Sequence, residues 1–372
     1  MRSERVIGFF QSIITILLFI LILGGLVVIH ELGHFFTARL AKVRVLEFGV
    51  GFPPRAKVIS SKGETVYTLN WLPIGGFVKL EGEDGEDPDD PRSFSHQGLA
   101  TKLTILVAGV AMNVVVAFAI FTGIALMASP LVGVKFFEVQ PGSPAAAAGL
   151  EAGDAIIAVD GDQYQFIAGP NALSGLRDRA GETISMTIED TSGVRQIVSV
   201  SLRPEAEIDS EHGALGISGA NEPFQGYFYG EYTTNDLSSA VSIGVEQTIR
   251  WMGLIVGGLA SLVSSIVADP TAPPLVSGPV GIATQIGDIF WNSGPIMTLY
   301  VAGILSANLA IVNILPFPPL DGGRMLMITL KRIFGTRISL RAEQLTYVVG
   351  FVFLFAFIIW VTGYDIIRSL GG

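Results

Sequence analysis

The stretch VIGFFQSIITILLFILILGGLVVIHELGHFFTARL, residues 6–40, decides the fold of this chain. Residues 6–29 hold no charged side chain, enough apolar helix to cross a hydrocarbon core of ~30 Å. The run then ends on His30, Glu31 and His34. On a helix, positions four apart lie one above the other on a single face. Two imidazoles so placed can hold one metal ion, while Glu31, one position on, can take a proton from water. Spanning helix and candidate metal site are therefore a single element.

The rest of the composition agrees with a membrane protein. Of 372 residues, 50% are apolar and only 15% charged, against roughly a quarter charged in soluble domains. Uncharged runs recur at 103–134, 289–320 and 344–364. No small-residue cleavage site follows the first run, so it is expected to stay in the chain. A shorter run, 251–268, is rich in Gly and Ser and reads as a helix lying on the outer membrane surface. The net charge of −10 leaves no basic surplus to neutralise phosphates, which excludes nucleic acid as a partner. There is no Cys, so disulfides, thiolate metal sites and a cysteine nucleophile are excluded, and any metal must be held by His, Asp or Glu.

Orientation follows from the basic residues. The segment after the first run carries Arg39, Lys42, Arg44, Arg55, Lys57, Lys62, Lys79, Arg92 and Lys102, against Arg2 and Arg5 before it, so residues 39–102 are cytoplasmic. A second cluster, Arg324, Lys331, Arg332, Arg337 and Arg341, falls on the same side only if there are four spans. The first and third runs then travel in the same direction and end at one depth. At the end of the third run, in NILPFPPLDGG, three prolines break the helix and Asp321 follows. Non-helical backbone at membrane depth lines a wet cavity or is buried in protein. Asp321 is thus the candidate third ligand, since a catalytic zinc site takes three protein ligands and leaves the fourth position open.

Two further regions carry strand patterns. Residues 44–80 alternate as a hairpin-rich sheet on the cytoplasmic side, followed by EGEDGEDPDDPR, 81–92, an acidic solvated loop. Residues 131–203 read as a small exported α+β domain with strands near 156–159, 183–188 and 197–202. VQPGSPAAAAGLEAGDAIIAVDG, 139–161, resembles a bacterial PDZ core. Such a domain binds a peptide or chain end by adding a strand to an exposed edge.

Together HELGH, AGVAMN (108–113), the PDZ-like stretch, SGPVGIA (277–283) and NILPFPPLDGG (313–323) resemble, in order and spacing, the site-2 protease family of intramembrane zinc metalloproteases, RseP-type branch. The resemblance implies a polytopic helical membrane protein with four spans, a cytoplasmic-side membrane-associated β-hairpin sheet and one extracytoplasmic PDZ-like domain, in a bacterial cytoplasmic membrane. It implies one Zn²⁺ held by His30, His34 and Asp321, with Glu31 as general base and later acid. It implies that Asn308 and Asn313 hold the substrate or polarise its carbonyl, and that Gly109 and Asn113 serve close helix packing. The implied substrates are single-span membrane proteins, such as anti-sigma factors or signal-peptide remnants, cut within or near the bilayer. Many members carry two PDZ domains, whereas this chain has room for one before residue 251. The expected division is 1–38, 39–100, 101–130, 131–203, 204–290, 291–323 and 324–372, with 204–290 an extracytoplasmic linker and surface helix. Two competing readings are a zinc transporter or sensor with the same ligands, which needs no general base, and a non-catalytic PDZ scaffold, which needs no zinc.

Overall fold

The computed structural model describes residues 2–83, 90–209, 212–218, 226–269, 273–274, 276–335 and 340–370. Half of the acidic loop, 84–89, and Arg337 of the second basic cluster lie outside the described residues. The chain divides into two compact units, residues 121–250 and the remainder.

The larger unit begins with α1 (Arg2–Leu40), whose continuous apolar run needs no turn signal before Leu40. A hairpin follows, β1 (Val45–Ser60) and β2 (Val66–Leu80). Its register doubles back: Phe48 lies opposite both Val78 and Tyr67, and Thr68 opposite both Gly49 and Val58. The segments therefore lie in the order 55–60, 66–70, 45–50, 76–80, with 76–80 at one edge. Phe35 of α1 packs edge-on to Phe48, with ring centroids 5.3 Å apart, in a core that also holds Val43, Leu80, Phe94 and Ile105. Arg44 ties down the flanks of the acidic loop, reaching Glu81 at 3.0 Å and Asp90 at 3.4 Å. The loop then leads into α2 (Leu99–Met127), which carries no acidic residue in its first turn and no basic one in its last.

The smaller unit is built on β3 (Ser129–Lys135), β4 (Glu138–Val139), the short helix α3 (Pro144–Ala147), β5 (Ala155–Val159), β6 (Asp162–Gln165), β7 (Thr183–Glu189), β8 (Arg195–Ser201), β9 (Ile217–Ser218) and β10 (Tyr227–Thr233). Six of the strands form one sheet in the order β10-β3-β6-β5-β7-β8, and β4 pairs with β9. Phe136, Ile156, Ile184, Met186, Ile188 and Val200 fill its core. Ser143 caps α3 through a 3.2 Å bond to the Ala146 N–H. The sheet runs past residue 203 into the segment expected to be a linker. β10 pairs antiparallel with β3, and Tyr227 Oη donates to Glu189 Oε1 at 2.6 Å, fastening the added strand.

The remaining helices are α4 (Leu237–Ala268), α5 (Pro279–Ile314), α6 (Asp321–Phe334) and α7 (Leu340–Leu370). α4 starts fourteen residues before the apolar run at 251, because Asp236 Oδ1 accepts from the N–H groups of Ser238 and Ser239 and opens the helix there. α5 is two helices joined at Gly294, whose φ of +80° suits glycine and which Pro295 follows without an N–H to donate. The expected third span, 291–323, is thus the second half of α5 followed by a break, and Asp321 opens a separate helix. At the other end of α5, Asp365 of α7 accepts from the Gly281 N–H at 2.8 Å, which accounts for the closeness of SGPVGIA to α7. Among the described residues, five helices are long and apolar enough to cross a membrane: Gly8–Leu40, α2, α4, α5 and Arg341–Leu370.

Candidate metal centre

His30 and His34 stand one turn apart on α1, 6% and 8% exposed, with ring centroids 4.7 Å apart. α6 brings Asp321 to them from nearly three hundred residues away. His30 Nε2 and His34 Nε2 are 3.1 Å apart, and Asp321 Oδ2 lies 3.0 Å from the first and 3.3 Å from the second. The three residues predicted from sequence therefore meet in one triangle, the metal-capable group among the described residues.

The triangle fits a metal ion better than it fits hydrogen bonds. Two imidazoles and a carboxylate offer lone pairs at one point, and Asp321 Oδ2 is buried without a hydrogen bond of acceptable geometry. Donors ~2.0–2.1 Å from a tetrahedral zinc ion stand about 3.3 Å from one another, close to the three edges observed.

One face of α2 backs the histidines at four-residue intervals. The Ile105 carbonyl lies 2.8 Å from His34 Nδ1, so that ring donates its Nδ1 proton there and keeps Nε2 free. At Gly109 a Cβ would strike His34 Nε2 and the Cε1 atoms of both rings, so only glycine lets α2 approach this closely. Asn113, fully buried, sets its side-chain amide 3.3 Å from His30 Nδ1. Ser306 of α5 donates to the Asn113 carbonyl at 2.8 Å, tying the two helices together at that level. Close packing at 109 and 113 is what the sequence led us to expect. The surfaces packed against are the two imidazoles themselves.

Glu31 is half-buried and turned toward β2, where a Cβ added at Gly76 would lie 3.5 Å from its Cγ. Asn308 and Asn313 are half-buried on α5, and among the described residues no hydrogen bond joins either to the cluster. A cavity of about 930 Å³ has Pro319 and Arg324, which flank Asp321 in sequence, in its wall, along with Gly82, Glu83 and Lys102. Glu83 pairs with Arg324 in that wall.

The pattern of peptidase family M50 matches residues 18–357, from the first span through the last. The chain belongs to that family. It is a zinc metallopeptidase of the site-2 type. A protein of Clostridium acetobutylicum whose name describes a zinc metalloprotease is 30% identical over 370 residues, covering 98% of this chain and 99% of its own length. The zinc metalloprotease RasP of Geobacillus kaustophilus is 28% identical over 441 aligned positions, 96% of this chain and 98% of the relative. The regulator of sigma-W protease RasP of Bacillus subtilis is 26% identical over 440, covering 95% and 98%. The likeness therefore spans both compact units and the site at once.

Proposed function

We propose that this M50 peptidase cuts single-span membrane proteins within or near the bilayer, with one zinc ion held by His30, His34 and Asp321 and Glu31 as general base. The observation that carries the reading is the triangle of three lone-pair atoms, 3.0–3.3 Å on each side, drawn from two helices far apart in sequence. Zinc bound there would lower the pKa of water toward ~7 and polarise the scissile carbonyl. Glu31 would take a proton from the attacking water and return it to the leaving amine. The half-buried position of Glu31 beside β2 suits this, because a substrate strand added to the 76–80 edge passes close to its carboxylate. Asn308 and Asn313 supply amides along the last turns of α5 for the substrate backbone. The Bacillus subtilis relative is named as a regulator of sigma-W. A membrane-anchored regulator of transcription is accordingly the substrate class we favour.

Four of the five apolar helices span in this reading, and an internal ruler supports it. Thr15 touches Trp291 at 3.3 Å, while His30, fifteen residues or about 22 Å further along α1, meets Asp321. α1 and the second half of α5 therefore run the same way. Gly350 packs on Pro318, and Asp365, again about 22 Å further along its helix, holds Gly281. Both Gly281 and Trp291 then sit at the level remote from the site. The first half of α5 does not traverse, and by parity neither does α4. With the 39–102 basic loop inside, the site lies near the cytoplasmic face and the sheet domain of residues 129–233 lies outside. Its strand-helix-strand order and capped GSPAAAAGL turn support a PDZ-like module that admits a peptide or a chain end.

The test is zinc content and cleavage of a tethered transmembrane substrate for wild type and Glu31→Gln in liposomes. Zinc in both with cleavage lost ~10²–10⁴-fold in the variant is expected. Absence of zinc from the wild type refutes the ligand assignment, and undiminished cleavage by the variant refutes the role of Glu31.

A further inference from the structure

We propose that Asn113 selects the tautomer of His30, and that its carboxamide turns over when the site is loaded. The inference rests on the reading of His30, His34 and Asp321 as metal ligands. An imidazole that gives Nε2 to a metal carries its ring proton on Nδ1, so each ligand histidine needs a hydrogen-bond acceptor behind it. His34 has one in the Ile105 carbonyl. Behind His30 stands the Asn113 side chain, with its amide nitrogen 3.3 Å from Nδ1. The Asn113 Oδ1 is buried without a partner, and the main chain of the same residue is fixed to α5 by Ser306.

That orientation suits the metal-free ring. Nδ1 accepts from the amide nitrogen, and the ring proton sits on Nε2, 3.1 Å from the His34 Nε2 that is free to accept it. Once Nε2 is given to a metal, the proton must move to Nδ1, and an N–H would then face an N–H. A half-turn of the carboxamide exchanges its ends and presents Oδ1 to Nδ1–H. Asparagine serves both states without any change of charge at residue 113. Aspartate offers only the acceptor, and leucine of similar size offers neither. Asn113 is on this account a positioning residue, acting on the metal through His30.

The experiment uses the full chain in detergent, labelled with ¹⁵N-histidine. The chain has only four His, so the ring nitrogens can be assigned. In the metal-free protein His30 should be protonated on Nε2 and in the zinc-loaded protein on Nδ1. Zinc affinity, measured by chelator competition, should fall about 10–100-fold in Asn113→Leu and hold in Asn113→Asp. A loaded His30 still protonated on Nε2 overturns the proposal. So does Asn113→Leu binding zinc like wild type, or Asn113→Asp losing as much as Asn113→Leu, which is the pattern of a packing residue. If the leucine variant does not fold, the two wild-type spectra still decide. Failure of the wild type to bind zinc at all is a different result, and it removes the ligand reading beneath this one.

Discussion

Replacing Gly109 by alanine adds one methyl group where two imidazoles meet α2. Built on the present backbone, that Cβ lies 2.6 Å from His34 Cε1 and 2.8 Å from His30 Cε1, and nearer still to His34 Nε2. Carbon atoms rest at ~3.5–4.0 Å, so the rings must retreat by about 0.7–0.9 Å. Constellations of this kind tolerate about 0.5 Å, and a misplacement of ~1 Å costs ~10²-fold in rate. Stability responds differently. Alanine gains about 1 kcal/mol of helix propensity over glycine, while overpacking costs about 1–3 kcal/mol. The fold should therefore lose no more than about 2 kcal/mol while cleavage falls ~10²-fold and zinc binding weakens. Chelator competition, cleavage of a tethered transmembrane substrate and thermal unfolding in detergent, run on the same preparation, separate these effects. An alanine variant that binds zinc and cleaves like wild type would refute the claim that α2 shapes the site through the absence of a side chain at 109.

Other expectations follow from contacts away from the triangle. Burial pushes the Glu47 carboxyl up, but hydrogen bonds from Arg55 and from Thr68 Oγ1 at 2.8 Å outweigh it and hold the group below its ordinary 4.5. A depressed folded value means that this support of the hairpin is complete above 4.5 and is lost as pH falls through the lower folded value. Hydrogen exchange of residues 45–70, corrected for intrinsic rates, should show that acid-side loss in wild type and a flat response in Glu47→Gln. Asp365→Leu removes the acceptor of the Gly281 N–H and should lower stability by about 1–3 kcal/mol, whereas Asp365→Asn keeps an acceptor and most of the stability. A leucine variant that unfolds at the wild-type temperature would show that the contact holds nothing together.

Some of this was open to reading because function and fold use the same local rules. HELGH fixes two ligands on one helical face without any tertiary information. The prolines of NILPFPPLDGG show that α5 must end before Asp321, so a carboxylate at the start of a new helix is legible too. Other features were hidden by competing signals. Gly294–Pro295 is a breaker pair, yet the uncharged run around it was long enough to pass for one uninterrupted span. Glu246 and Arg250 made the first half of α4 look like linker, although Asp236 marks a helix start that a capping search would find. β10 lies twenty-six residues beyond β8, and its membership of the sheet depends on pairing with β3 at the other end of the domain.

Close packing on this face of α2 was expected, but that it supports the two imidazoles could not be read, for a deeper reason. Ile105 acts through its backbone carbonyl, which any residue would supply, and Gly109 acts by having no side chain. Neither leaves a chemical signature. Asn113 does leave one, but a lone amide in an apolar helix is equally the mark of helix-to-helix adhesion. What separates the two readings is spacing relative to the ligands. His30 and His34 are four apart on α1, and the groups behind them, at 113 and 105, flank residue 109 by four on either side of α2. Two helices packed face to face bring such intervals into register. A metal pair at i and i+4 on one span therefore calls for a small residue on its neighbour, with an acceptor one turn to each side of it. In this chain Gly109, Asn113 and the Ile105 carbonyl occupy those three positions against the imidazoles.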